Sequence, residues 1–215
     1  MKPIIAPSIL SADFAYLAKD LEMVNRSEAD WVHIDVMDGV FVPNISFGFP
    51  VLKYVAKLSK KPLDVHLMIE KPERKLDAII DAGADIITIH QESTTRLYSC
   101  IEKIKSRGVK AGVVLSPATN EDTLKYVLDK IDMILLMTIN PGEAGPGFHE
   151  ELLTKIKNVR ELIGDRDIDL EVDGGIDNTN IAKCKEAGVN VFVSGGYVFK
   201  GDIAEKIKTL REALK

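Results

Sequence analysis

Short runs of apolar, β-branched residues recur along the chain at 4–8, 31–37, 63–68, 86–90, 110–115, 133–137, 169–173 and 191–194. Each is bounded by polar or glycine-containing segments and reads as a buried strand. Between them the apolar positions widen to a helical period, at roughly 14–25, 50–58, 72–82, 94–106, 121–128, 150–162, 179–187 and 202–214. Pro72 suits a first helical turn, and Gly83, Gly108 and Gly188 fall just past a last one. The passage Ala82-Gly83-Ala84-Asp85 returns in outline as Ala187-Gly188-Val189-Asn190, each time between a helix and a strand.

Strands that are apolar on both faces and separated by crossover helices form a parallel sheet. Eight strand–helix pairs of about 27 residues each fill the 215 residues. Such regular units in so short a chain fit a closed (β/α)8 barrel better than an open doubly wound sheet. No Gly/Ser linker or low-complexity stretch divides the chain, so one domain over 1–215 is expected. In a barrel the chemistry collects at the C-terminal ends of the strands.

Composition narrows the partners. The chain carries 28 Lys+Arg against 33 Asp+Glu and no basic run, which speaks against a nucleic-acid partner. Its longest apolar run, Met133–Met137, is far short of the ~20 residues of a membrane span. No secretory h-region opens the sequence, so a cytoplasmic location is expected. Cys100 and Cys184 lie far apart without metal-ligand spacing and read as buried free thiols.

Residues two apart on a strand share a face. That groups His33, Asp35 and Met37 on the second strand, and Asp64, His66 and Met68 on the third. Met133, Leu135 and Met137 group on the sixth, and the seventh ends at Asp173. A lone histidine at a strand end is usually a satisfied core residue, and a lone Asp before glycines is usually a turn. Together, His33, Asp35, His66 and Asp173 converge from three strands, and buried imidazoles and carboxylates are costly unless paired or metal-bound. Two nitrogens and two oxygens suit one divalent ion such as Zn²⁺, Fe²⁺, Mn²⁺ or Co²⁺. Asp38-Gly39 reads as a turn, Asp64 and His149 as structural, and His90 as a mouth residue without a matching partner.

A second theme is phosphate. Glycines follow strand 6 (Gly142, Gly145, Gly147), strand 7 (Gly174, Gly175) and strand 8 (Gly195, Gly196). Glycine lets backbone N–H groups approach an oxyanion, and barrels bind phosphate with the loops after strands 7 and 8. Met37, Met68 and Met137 at the mouth suggest a polarizable apolar wall around the reacting atoms.

These stretches carry a resemblance. Ala6-Pro7-Ser8-Ile9-Leu10-Ser11-Ala12-Asp13, His33-Ile34-Asp35-Val36-Met37-Asp38-Gly39, Phe41-Val42-Pro43-Asn44, Leu63-Asp64-Val65-His66-Leu67-Met68 and Glu171-Val172-Asp173-Gly174-Gly175 together resemble the ribulose-phosphate 3-epimerase family. The match runs in order along essentially the whole chain. The resemblance implies a metal-dependent barrel of the pentose phosphate pathway that interconverts ribulose 5-phosphate and xylulose 5-phosphate. It implies that His33, Asp35, His66 and Asp173 hold the metal, with Asp35 and Asp173 as acid and base. Ser8, His66, Met37, Met68 and Met137 would contact substrate. Gly142, Glu143, Ala144, Gly145, Gly174, Gly175, Gly195 and Gly196 would surround its phosphate end. A homo-oligomer is expected, as for related enzymes.

Two departures concern substrate size. The family's usual Asn-Pro-Gly-Phe-Gly-Gly-Gln after strand 6 is here Asn140-Pro141-Gly142-Glu143-Ala144-Gly145-Pro146, and its Gly-Ser after strand 8 is Gly195-Gly196. They leave a six-carbon ketose, allulose 6-phosphate, as the nearest alternative substrate. Barrels of the decarboxylase and hexulose-phosphate synthase type use Asp-x-Lys-x-x-Asp on a strand, whereas Met37 stands where that lysine would be. A phosphate-ligand binding protein without activity would not need two acids facing each other. Inverting carbon 3 of a ketose does need them: the proton leaves one face and returns to the other. Strands 2 and 7 are three steps apart around a ring of eight, so their aspartates can face each other across the mouth.

Overall fold

The computed structural model describes residues 2–143 and 147–215. Among them the elements are β1 Ile4–Pro7, α1 Leu17–Arg26, β2 Val32–Met37, α2 Phe49–Leu58, β3 Leu63–Met68, α3 Leu76–Asp81, β4 Ile86–His90, α4 Leu97–Ser106, β5 Lys110–Leu115, β6 Met133–Met137, α5 Leu152–Ile163, β7 Asp169–Asp173, α6 Ile181–Glu186, β8 Val191–Ser194, α7 Gly196–Phe199 and α8 Ile203–Ala213. Every ladder is parallel, and the strands follow one another from β2 through β8 and on to β1. The remaining seam, β1 against β2, is joined by a bridge between Ser8 and His33. The N–H groups of Asp30 and Trp31 add bonds to the Ile5 carbonyl, at 2.9 and 3.3 Å. This is the (β/α)8 barrel expected.

Alternation along each strand separates two interiors. Ile34, Val65, Ile87, Val113, Ile134, Val172 and Phe192 point outward into one continuous layer beneath the helices. Inside the barrel, Ile86, Met133 and Val191 form an apolar floor with Ile4 and Trp31. Further along the strands the inward positions turn polar: His33 and Asp35, Asp64 and His66, Thr88 and His90, Glu171 and Asp173. The apolar outer layer thus supports a charged axis that opens at the C-terminal ends.

Strand boundaries match expectation to within a residue, but the segment over 121–128 differs. It forms two short 3₁₀ turns, Glu121–Leu124 and Leu128–Lys130, in place of an α-helix. Only Leu124, Val127 and Leu128 there are buried, too short an apolar face to propagate a helix. The helix expected over 72–82 likewise divides into a 3₁₀ turn, Pro72–Arg74, and α3. Both cysteines are buried free thiols, as expected, and burial pushes Cys184 up to about 12. No helix among the described residues is long and apolar enough to cross a membrane.

The N-terminal rim of the barrel has a fourfold device. Asp30, just before β2, accepts from the backbone N–H of Ile5 on β1 at 2.9 Å. Asp85 before β4 takes the N–H of Leu63 on β3, and Asp132 before β6 that of Ala111 on β5, each at 2.8 Å. Asn190 before β8 takes that of Leu170 on β7, also at 2.8 Å. The recurring Ala-Gly-x-Asx passages are two instances of this pattern. Asn190 is buried whereas Asp85 is exposed, so their removal should differ. Asn190→Ala leaves a buried N–H unpaired and should cost about 1–3 kcal/mol in denaturant unfolding. Asp85→Ala should cost less, and equal losses would contradict this reading of the rim.

Candidate active site

Register brings the polar residues together. On the β2–β3 ladder His33 lies opposite Asp64, Asp35 opposite His66, and Met37 opposite Met68. On the β6–β7 ladder Met137 lies opposite Asp173. One ligand-type atom from each of His33, Asp35, His66 and Asp173 falls within 4.8 Å of all the others. Nε2 of His33 is 3.4 Å from Asp35 Oδ1 and 3.9 Å from Asp173 Oδ2. Nδ1 of His66 is 3.1 Å from Asp35 Oδ1 and 3.7 Å from Asp173 Oδ2. The two imidazoles therefore turn opposite ring nitrogens toward the same pair of carboxylates.

Three of these groups, Asp35, His33 and His66, are held from behind. The hydroxyl of Ser8 donates to Asp35 Oδ2 at 2.6 Å. Nδ1 of His33 lies 2.5 Å from Asp64 Oδ2 and 3.6 Å from Glu171 Oε1. Nε2 of His66 lies 2.9 Å from Nε2 of His90, whose Nδ1 is 3.1 Å from Glu92 Oε2. His90, expected to stand alone, thus has two partners. Its neighbour Glu92 lies in the turn beyond β4, where strand alternation gives no guide. Glu171 was missed as well, although it shares the inward face with Asp173, two positions on.

Burial alone would push His33 and His66 down. For His33 the charges of Asp64 and Asp35 outweigh burial and hold the imidazole well above its ordinary value. For His66 the facing carboxylates of Asp173 and Asp35 do the same. Burial would raise Asp35, but His33 and His66 hold it far below the carboxylate range. Glu171 goes well above that range, through burial and the neighbouring charge of Asp64. Burial takes His90 down to about 4 despite its bond to Glu92. Glu92 opposes its own burial through bonds from His90, Thr119 and the Ser116 N–H, and falls to about 2.

The donors fit a divalent cation. Nε2 of His33 is wholly buried, has no hydrogen-bond partner among the described residues, and faces two carboxylates. Two imidazole nitrogens and two carboxylate oxygens form a set that several first-row ions accept. A second buried group, His33, Asp64 and Glu171, lies behind the first and shares His33 with it.

Around this centre Met37 and Met68 pack with Val42. Met137 packs separately with Val114 and Leu135, so the methionines make two patches in place of one wall. The loop after β6 is tied across the mouth by Asn44, which donates to the Gly142 carbonyl at 2.6 Å. Glu143 is exposed, and its Oε1 accepts from Asn140 in its own loop at 3.3 Å. Ala144 and Gly145 lie outside the described residues. Gly174 has φ +124°, and a Cβ there would meet Ile139 at 2.6 Å, so this turn admits glycine alone. Gly175 lies beside it at φ +66°, and Gly195 and Gly196 lead into α7. Asp38 is the turn residue expected, accepting from Val40 and Phe41. His149 is exposed, 3.4 Å from Glu151 and away from the cluster.

A (β/α)8 barrel with acids and imidazoles gathered at its C-terminal mouth has the layout of barrel enzymes, whose active sites sit at that end. The profile of the ribulose-phosphate 3 epimerase family matches residues 4–199, and the chain belongs to that family. It is accordingly an isomerase, a carbohydrate epimerase. Over 211 residues it is 45% identical to the ribulose-phosphate 3-epimerase of Bacillus subtilis, covering 96% of this chain and 97% of that one. The chloroplastic ribulose-5-phosphate-3-epimerase of Arabidopsis thaliana is 45% identical over 213 residues, covering 97% of this chain and 76% of the relative. Among solved structures, the 3-keto-L-gulonate-6-phosphate decarboxylase of Vibrio cholerae superposes with TM-score 0.76, over 100% of this chain and 98% of that one. At 16% identity that similarity shows the fold alone.

The imidazoles should titrate in opposite directions in metal-free protein. His90, depressed from 6.5 to about 4, favours folding above its ordinary pKa and loses that contribution as pH falls toward 4. His33 and His66, both raised, contribute below 6.5 and lose that contribution as pH rises. Nitrogen-15 NMR of the imidazoles should show His90 neutral at pH 5 with the other two still protonated above 6.5. A His90 protonated at pH 6 would contradict the assignment.

Proposed function

We propose that the protein interconverts D-ribulose 5-phosphate and D-xylulose 5-phosphate by a two-base proton transfer at carbon 3, assisted by a divalent metal. The convergence of His33, Asp35, His66 and Asp173 into one cluster carries this reading. The family names of the relatives support its substrate. His33, through Nε2, His66, through Nδ1, and the two carboxylates would hold the ion. When bound, it would supply positive charge and lower the cost of the negative charge that develops on the substrate's oxygens.

The protein's own groups move the proton. Carbon 3 is acidic because carbon 2 is a carbonyl, and one aspartate takes its proton while the other returns one to the opposite face. Asp35, held ionised by two imidazoles, serves as base in one direction. Asp173 has a more open side chain, at 18% exposure against 4% for Asp35, and faces it from β7. Roles exchange when the reaction runs backward. Ser8 fixes the Asp35 carboxylate through its 2.6 Å bond and keeps one oxygen oriented. Met37, Met68 and Met137 exclude water from the reacting carbons, and the backbone at Gly142, Gly174, Gly175, Gly195 and Gly196 receives the phosphate.

Asp35→Asn and Asp173→Asn should each lower turnover by at least ~10²–10⁴. Wild-type product formed in D₂O should carry deuterium at carbon 3. A variant that keeps a tenth of wild-type turnover at full metal loading would overturn the two-base assignment.

The bond from Asn140 turns Glu143 back onto its own loop, which supports a five-carbon substrate over allulose 6-phosphate. A carboxylate aimed at a dianionic sugar phosphate would repel it. Glu143→Phe should therefore change KM for ribulose 5-phosphate by less than about tenfold, or ~1.4 kcal/mol. A selective collapse of kcat/KM on allulose 6-phosphate would move the assignment to the six-carbon sugar.

A further inference from the structure

His90 and Glu92 take no part in the proton transfer, yet they form a continuous chain behind His66. His90 is fully buried, and the ring of Phe41 covers it with centroids 4.8 Å apart. Nitrogens 2.9 Å apart on His66 and His90 share one hydrogen, so the far ends of the two rings decide which carries it. At the far end of His90, Nδ1 meets the Glu92 carboxylate, an acceptor only. That places the hydrogen on His90 Nδ1 and leaves its Nε2 with a lone pair. His66 then donates from Nε2, and the nitrogen it turns toward Asp35 and Asp173 is Nδ1, whose proton a cation would replace.

Glu92 cannot drift from this position. Its other oxygen, Oε1, accepts from the Ser116 N–H at 2.9 Å and from the Thr119 hydroxyl. The loop carrying these donors is gathered by the buried ammonium of Lys155 on α5. Lys155 donates to the carbonyls of Ser116, Pro117 and Thr119 at 2.8, 3.1 and 2.6 Å. His33 is oriented directly by a carboxylate, Asp64, whereas His66 is oriented through an intervening imidazole.

We infer that His90 and Glu92 are positioning residues that set the tautomer of His66 and so present its Nδ1 to the cation. The inference rests on reading His33, Asp35, His66 and Asp173 as a metal-holding set. Outer partners of metal-ligating histidines commonly act in this way, and their loss weakens metal binding 10–100-fold.

The isosteric change Glu92→Gln gives a sharp test. The donors of Ser116 and Thr119 retain the amide oxygen at the Oε1 position, which leaves the NH₂ group facing His90 Nδ1. The chain is then reversed: His90 carries its hydrogen on Nε2, and His66 carries one on Nδ1, where the ion should sit. Co²⁺ affinity, measured by chelator competition, should fall 10–100-fold in Glu92→Gln, with a changed Co²⁺ absorption spectrum. In a His90→Phe background the same change should have almost no further effect, because the chain is already cut. His90→Leu, which can neither donate nor accept, replaces that background if His90→Phe does not fold.

Unchanged affinity and spectrum in Glu92→Gln would overturn the proposal. So would losses that simply add in the double variant, and so would a lowered melting temperature of the metal-free variants with Co²⁺ binding intact. A wild-type protein that binds no Co²⁺ would overturn both this proposal and the metal reading beneath it.

Discussion

Burying a charge without a partner costs several kcal/mol, and the axis of this barrel buries many ionisable groups side by side. His33, Asp35, Asp64, His66, His90 and Glu171 are all within 3% of complete burial. The arrangement is tolerable only because imidazoles and carboxylates alternate across neighbouring strands, as the pairing of His33 with Asp64 and of Asp35 with His66 shows. In the absence of a metal, protons on His33 and His66 offset the acids. A cation would replace those protons, so metal affinity and acidity oppose one another by construction.

The same constraint binds the site to the closure of the barrel. The seam between β1 and β2 lacks a ladder, and its upper end is held by the Ser8–His33 bridge and by the Ser8 hydroxyl on Asp35. The residue read as base is therefore also a fastening of the fold. Its rigidity serves orientation, since a proton-transfer group must be held close to its productive geometry. The glycine turn at Gly174 adds a second fixed point, against Ile139 and Thr138 at the end of β6.

Much of this was legible in the residues. Strands buried on both faces announce themselves through continuous β-branched runs, and period-two alternation sets His33 with Asp35 on one strand face, with His66 and Asp173 on the strands around them. The pattern failed where structure departs from periodicity. Glu92 bends back from a turn onto its neighbour His90, so no spacing rule connects them. The segment over 121–128 has helical spacing but too few buried positions to sustain a helix. The methionines share strand ends, but the ring separates β6 from β2 and β3, which no linear pattern reports. Glu171 is legible too, since alternation puts it on the same face as Asp173, two positions on.

The four side-chain acceptors at Asp30, Asp85, Asp132 and Asn190 divide the barrel into two-stranded quarters. Each acceptor meets one particular N–H at the start of the preceding strand. Sliding a strand by one residue moves that N–H by about 3.3 Å, beyond reach, at the same moment that inward and outward faces exchange. Misalignment is therefore sensed at the rim that does no chemistry, one pair at a time. The opposite rim is left free to vary its loops without losing the alignment on which its imidazoles and carboxylates depend.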